Sequence, residues 1–231
     1  MIEKNRQIVI FGNFNGINFD SLVLFSEIKD KYKLQISAMP DIPVEAVKGG
    51  TPVIVNAVNN LNIRPALQSE DKKTTVFFGA SRIHIEQLDQ TMDSYEQFYG
   101  MALEIISDIL QKIKVVVNRI AINGQIVNYQ QEIMDAAYKK IFKKSTLYGD
   151  TSDEWQFRIT TRENNDKPSC VINKVISYTR GFVFEPTGQA KAVLATVYDF
   201  NTKQDLSREF ELDEIKEFYT LGCEYRNNLL K

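Results

Sequence analysis

The chain is poor in the residues that most often announce chemistry. Its 231 residues include one histidine, two cysteines and one tryptophan. A single histidine excludes a multi-histidine zinc site. Cys170 and Cys223 lie far apart, too few for a disulfide framework and without metal-ligand spacing. They are expected to be buried, reduced thiols, and so to point to a reducing cytoplasm. No apolar run approaches the roughly 18–20 residues of a membrane span. The opening "MIEKNRQIVIFGNF" lacks the apolar core and small-residue cleavage site of a signal peptide. A cytoplasmic protein with no membrane partner is therefore expected. Basic excess is missing too: 28 Lys and Arg stand against 30 Asp and Glu, for a net charge of −2. Dedicated nucleic-acid binders usually carry a positive excess, because phosphate neutralisation dominates their affinity. Only a local patch remains open to that function.

Catalytic signatures are equally scarce. The lone histidine sits in "SRIHIEQLDQ" (81–90), where alternation sets Ile83 and Ile85 against Arg82, His84 and Glu86. The apolar pair claims the core, so His84 reads as a surface strand residue, and His84→Ala should leave stability within about 0.5 kcal/mol. No serine or cysteine stands in a nucleophile elbow. Gly12 and Gly16 in "FGNFNGINFD" lack nucleotide-loop spacing and have no following lysine, so they read as a strand-to-helix turn. "KGGTP" (48–52) leads into a strand and offers no helix dipole. Glu209, Glu211, Asp213, Glu214 and Glu217 read as acids complementing a helix N-terminus. No catalytic residue, metal ligand or cofactor is assigned.

What is present is material for a core: 43% hydrophobic and 25% charged residues, ordinary for a globular protein. "QIVIFGNF" (7–14) reads as a strand, and 15–32 contains a short helix with Leu22, Phe25, Ile28 and Tyr32 at helical spacing. "LQISAMP" (34–40) alternates as a strand, and 41–50 is a loop. Short strands over 51–60, 62–71, 73–79 and 82–88 read as an antiparallel meander. The clearest helix is 91–114, opened by a capping box of Asp93 and Glu96 and carrying a wide apolar face. The pattern then repeats in kind: a strand at 115–122, a helix at 128–144, strands at 154–163, 169–186 and 189–203, and a helix at 212–230.

This order predicts an α+β fold of two similar halves. Each would be an antiparallel sheet with a long helix packed on it, β-α-meander-α twice over. The expected halves are 1–114 and 115–231. They should share an interface, because no Gly/Ser/Pro linker separates them.

Basic side chains cluster in "YKKIFKK" (138–144), as Lys139, Lys140, Lys143 and Lys144, and in "RITTR" (158–162), as Arg158 and Arg162. These six are the candidate binding residues. The lysines also suit a solvated helix C-terminus. An enzyme would need a non-obvious carboxylate or Arg/Tyr site, for instance around Asp199, Arg158 and Tyr178.

Three strings carry a resemblance. "NIRPALQSEDKKTTVFFGASRIHIEQLDQTMDSYEQFYGMALEII" (62–106) runs from strands into a Tyr/Phe-containing helix. "VNRIAINGQIV" (117–127) is an arginine-bearing strand. "ATVYDFNTKQDLSREFELDEIKEFYTLGCEYRNNLL" (195–230) is a strand closing on an acid, then a helix. Together they resemble a sporadically distributed family of uncharacterised bacterial proteins of similar length. The resemblance covers most of the chain and brings no catalytic motif. Patchy distribution implies an accessory role in defence, counter-defence or mobile elements.

The leading expectation is a non-catalytic protein-binding module, a regulator, inhibitor or immunity-type protein, that also self-associates as a homodimer. Exposed sheet edges would favour strand addition. The alternative is a nucleic-acid-associated protein working through the basic patch. An enzyme comes third.

Overall fold

The protein is described from a computed structural model, covering residues 2–19, 22–41, 62–90, 95–142, 152–184 and 188–229. The strand expected over 51–60 and Asp93 of the expected capping box lie outside them. In chain order the elements are β1 (Ile2–Gly12), α1 (Val23–Lys31), β2 (Gln35–Pro40), β3 (Ile63–Gln68), β4 (Thr74–Phe78), β5 (Arg82–Gln90), α2 (Tyr95–Lys112), β6 (Val117–Asn128), α3 (Gln131–Ile141), β7 (Trp155–Asp166), β8 (Ser169–Phe184), β9 (Ala190–Thr202) and α4 (Leu212–Leu229). Among the described residues no helix is long and apolar enough to cross a membrane.

The nine described strands form one antiparallel sheet, ordered β2-β3-β4-β5-β1-β6-β9-β8-β7. This corrects the expectation of two halves, each with its own sheet and long helix. The two meanders are joined through β1 and β6, which pair from Ile2↔Val127 to Gly12↔Val117. The physical reason is visible in the register: Ile8 faces Ile122 and Ile10 faces Ile120. Their apolar rows coincide, so pairing satisfies two strand edges and builds one core at once. Periodicity says which face a strand buries; it does not say which neighbour the strand takes.

The four described helices lie on one face. Cross-strand partners share a face, so the register separates the faces through the whole sheet. Ile8, Ile85, Val76, Ile122 and Phe200 point to the helices. There they join Phe25 and Ile28 of α1, Phe98, Ala102 and Ile105 of α2, and Ile215 and Phe218 of α4 in one continuous core. Phe25 meets Phe78 at 5.4 Å, and Phe200 stacks on Phe218 at 4.8 Å. Each fully buried side chain of this kind contributes about 1.5–3 kcal/mol. α4 approaches closely because Gly222 presents no side chain: a Cβ there would overlap Ile122.

The helix-covered face also buries an ionic cluster. A register shift between Glu3 and Asn5 inserts Lys4 as an extra residue, so Glu3 and Arg6 point the same way. Glu3, Arg6 and Arg226 are 0%, 1% and 2% exposed. Arg226 donates to both Glu3 oxygens, at 3.0 and 2.8 Å, and Tyr198 Oη donates to Glu3 Oε1 at 2.8 Å. Arg6 donates to Glu3 at 3.4 Å and also to Gln87. Gly124 makes the Tyr198 bond possible, since a Cβ there would stand 2.5 Å from Tyr198 Oη. The cluster ties α4 and β9 to β1 and β5.

Candidate functional site

The sheet ends in a wing that the helix layer covers only in part. β7 and β8 pair over twelve positions, from Trp155↔Arg180 to Asp166↔Ser169, with no register shift. α3 covers the root of the wing. Tyr138 and Phe142 meet Trp155 at 6.0 and 5.5 Å, and Phe142 meets Phe157 at 6.2 Å. Arg180, buried under α3, pairs with Asp135 at 3.3 Å. Beyond this root the apolar row continues without cover: Ile159 is 44% exposed. No residue of β7 is buried, and among the described residues nothing pairs with its outer edge.

The opposite face of the wing is polar. Arg162 Nε donates to Asn173 Oδ1 at 3.1 Å, and Asn173 Nδ2 donates to Asn201 Oδ1 at 3.0 Å. This ladder crosses β7, β8 and β9. Asp199 stands beside it. Burial raises its pKa above the usual carboxylate value, while its bond to Asn201 and the charges of Arg119 and Arg158 act in the other direction. Arg119 lies over the Phe11 ring at 4.7 Å.

The six basic candidates do not form one patch. Arg158 and Arg162 are exposed on β7 and share the face opposite the helices, across from Ser177 and Asn173. Lys139 and Lys140 are exposed on α3, which lies on the helical face. Lys143 and Lys144 lie outside the described residues. The strand alternation of Trp155, Phe157 and Ile159 against Gln156, Arg158 and Thr160 was a sufficient signal for the arginines' face. The side of the sheet taken by α3 had no such signal.

The enzymatic trio is not assembled either. Asp199 and Arg158 share the open face, whereas Tyr178 pairs with Phe157 and Thr196 on the helical face. Burial raises the thiol pKa of Cys170 to about 11 and that of Cys223 to about 12. Both are protonated near neutral pH and poor nucleophiles. Among the described residues no cluster of His, Cys, Asp and Glu could hold a metal ion.

His84 corrects the surface reading given above. Its face is the expected one, opposite Ile83 and Ile85, but the side chain is 9% exposed. It stacks on Phe77 at 5.0 Å. Burial, reinforced by the charge of Arg82 and partly opposed by Asp41, lowers its pKa to about 4. Sequence alternation identifies the face of a strand; it does not reveal what else packs there.

The sequence matches no protein-family model and no curated protein. Two solved structures of the duplicated taurocyamine kinase from Schistosoma mansoni align with 94% of the chain at 11% identity. One carries bound transition-state-analogue components and the other is substrate-free, with TM-scores of 0.31 and 0.32. The chain spans 31% and 32% of those proteins' length. A likeness this faint carries no conclusion about fold or activity.

Proposed function

We propose that this protein is a non-catalytic protein-binding module, a regulator, inhibitor or immunity-type accessory protein, that takes an extended strand of its partner along the free edge of β7. One observation carries the reading: a twelve-residue edge strand with no buried residue and one side that no described residue pairs with. Such an edge is a ready template for another strand, and proteins usually blunt it with proline, lysine, a bulge or short length. The sheet's other edge, β2, has six residues and ends in Pro40. β7, "WQFRITTRENND", has no proline and no bulge, and its charges, Arg158, Arg162, Glu163 and Asp166, leave the seven residues Trp155–Thr161 with a single one. Strand addition would draw affinity from main-chain hydrogen bonds, with Ile159 and Arg158 offering side-chain selectivity on opposite faces.

The test uses two adjacent prolines. Successive residues of a strand turn their N–H groups to opposite sides. Of Thr160 and Thr161, one faces β8 and the other faces outward. Tagged wild type, Thr160→Pro and Thr161→Pro are used to capture partners from the host lysate. The expected result is a protein recovered with wild type in fixed stoichiometry and lost with the outward-facing variant, which keeps its melting temperature. The other variant breaks the β7–β8 ladder and melts lower. A partner that both folded variants retain places binding elsewhere.

A further inference from the structure

The face opposite the helices carries a charge balance unlike that of the whole chain. Among the described strand positions it presents Arg64, Arg82, Arg119, Arg158, Arg162 and Lys191, against Glu86, Asp166 and Asp199. The helices show the reverse balance, with eleven Asp and Glu against seven Lys and Arg. An acidic layer therefore backs a basic sheet face, within a chain of net charge −2.

The available cations lie toward β7. Arg64 is engaged by Asp41 at 3.7 Å. Arg158 and Arg162 are exposed; Arg158 and Arg119 flank the Asp199 carboxyl, and Arg162 is bonded to the neutral amide of Asn173. Arg119 Nε is buried without a hydrogen-bond partner. Four residues along a strand span roughly 13 Å, and the three strand spacings from β6 to β7 roughly 14 Å. This footprint is comparable to the about 12 Å width of a major groove, enough to reach phosphates on both of its sides. Asn123 and Gln125 lie between the cations on the same face and add neutral donors, whereas Asn173 Nδ2 is engaged by Asn201, which is buried. Among the described residues this face shows no free stacking platform: Phe11 carries Arg119, Tyr129 carries Lys191, and Phe77 is buried beneath His84. Single-strand binders rely on such platforms. Phosphate contact alone suits a duplex.

We infer that the open sheet face binds the phosphodiester backbone of duplex nucleic acid through Arg119, Arg158 and Arg162, without reading base sequence. The inference does not rest on strand addition at β7, which draws its affinity from main-chain groups of the edge.

The test is fluorescence anisotropy with a labelled DNA duplex of about 20 base pairs, titrated with the full chain. Binding is expected at about 50 mM salt, weakening about 40-fold by about 200 mM, as three phosphate contacts require. Arg158→Glu with Arg162→Glu should weaken binding at least tenfold at unchanged circular dichroism and melting temperature. Lys139→Glu with Lys140→Glu, on the helical face, should leave it unchanged. Absence of binding at low salt, equal losses in both double variants, or tighter binding to the single strand would each overturn the inference.

Discussion

β4 and β7 belong to one sheet and meet opposite fates. Four of the five residues of β4 are buried and none of the twelve of β7 is. Near β4, α1 and α2 seal the helical face, and His84 and Phe77 pack together on the other. Near β7, Tyr138 of α3 and its C-cap Phe142 reach Trp155 and Phe157, and no residue of β7 is buried on either face. β4, "TTVFF", and the first half of β7, "WQFRITT", are both rich in β-branched and aromatic residues, which favour strands. What separates them is the cover they receive, so burial concentrates in the centre and exposed strand surface in the wing.

The sharpest way to break this contrast is to remove Glu3. Glu3→Ala leaves Arg226 and Arg6 buried without their carboxylate, which should cost about 3–5 kcal/mol in chemical denaturation. Next in size is acid. His84 is neutral in the folded protein, with a pKa of about 4 against an ordinary value of 6.5. Between those pH values the unfolded chain binds a proton that the folded chain refuses. Its contribution is therefore complete above pH 6.5 and lost as pH falls to about 4, on the order of 3 kcal/mol. Unfolding titrations of wild type and His84→Asn should diverge in that window; parallel curves would mean that His84 is not held neutral. Gly124→Ala should cost about 1–3 kcal/mol through overpacking, because its Cβ would press on Tyr198 Oη and Asn5 O. Ile159→Thr, in the wing, should stay within about 0.5 kcal/mol. A loss of 2 kcal/mol or more there, about the scale of a buried core position, would show that the wing is covered in solution.

The sequence told more about the elements than about their assembly. The apolar spacing of Phe98, Ala102, Ile105, Ile106 and Ile109 located α2 and its buried face, because one stripe must meet the core. The polar phase of Arg158 and Arg162 was readable for the same reason. The fusion of β1 to β6 was not, since a strand's alternation is the same whichever neighbour it takes. The ionic cluster stayed hidden as well. Glu3 and Arg6 look like one solvated face of a chain end until the bulge at Lys4 turns both inward, and Arg226 lies at the far end of the sequence. His84 was assigned to the right face and given the wrong environment. The edge status of β7 follows from strand order, which is a long-range fact.

The account depends most on β7 being a free edge, and residue-resolved amide hydrogen exchange of the isolated protein tests it directly. Protection along Trp155–Asp166 should alternate with period two, the amides bonded to β8 slow and the outward ones fast, while β4 and β1 exchange slowly throughout. Uniform slow exchange along β7 would contradict the account, because the edge would already be paired.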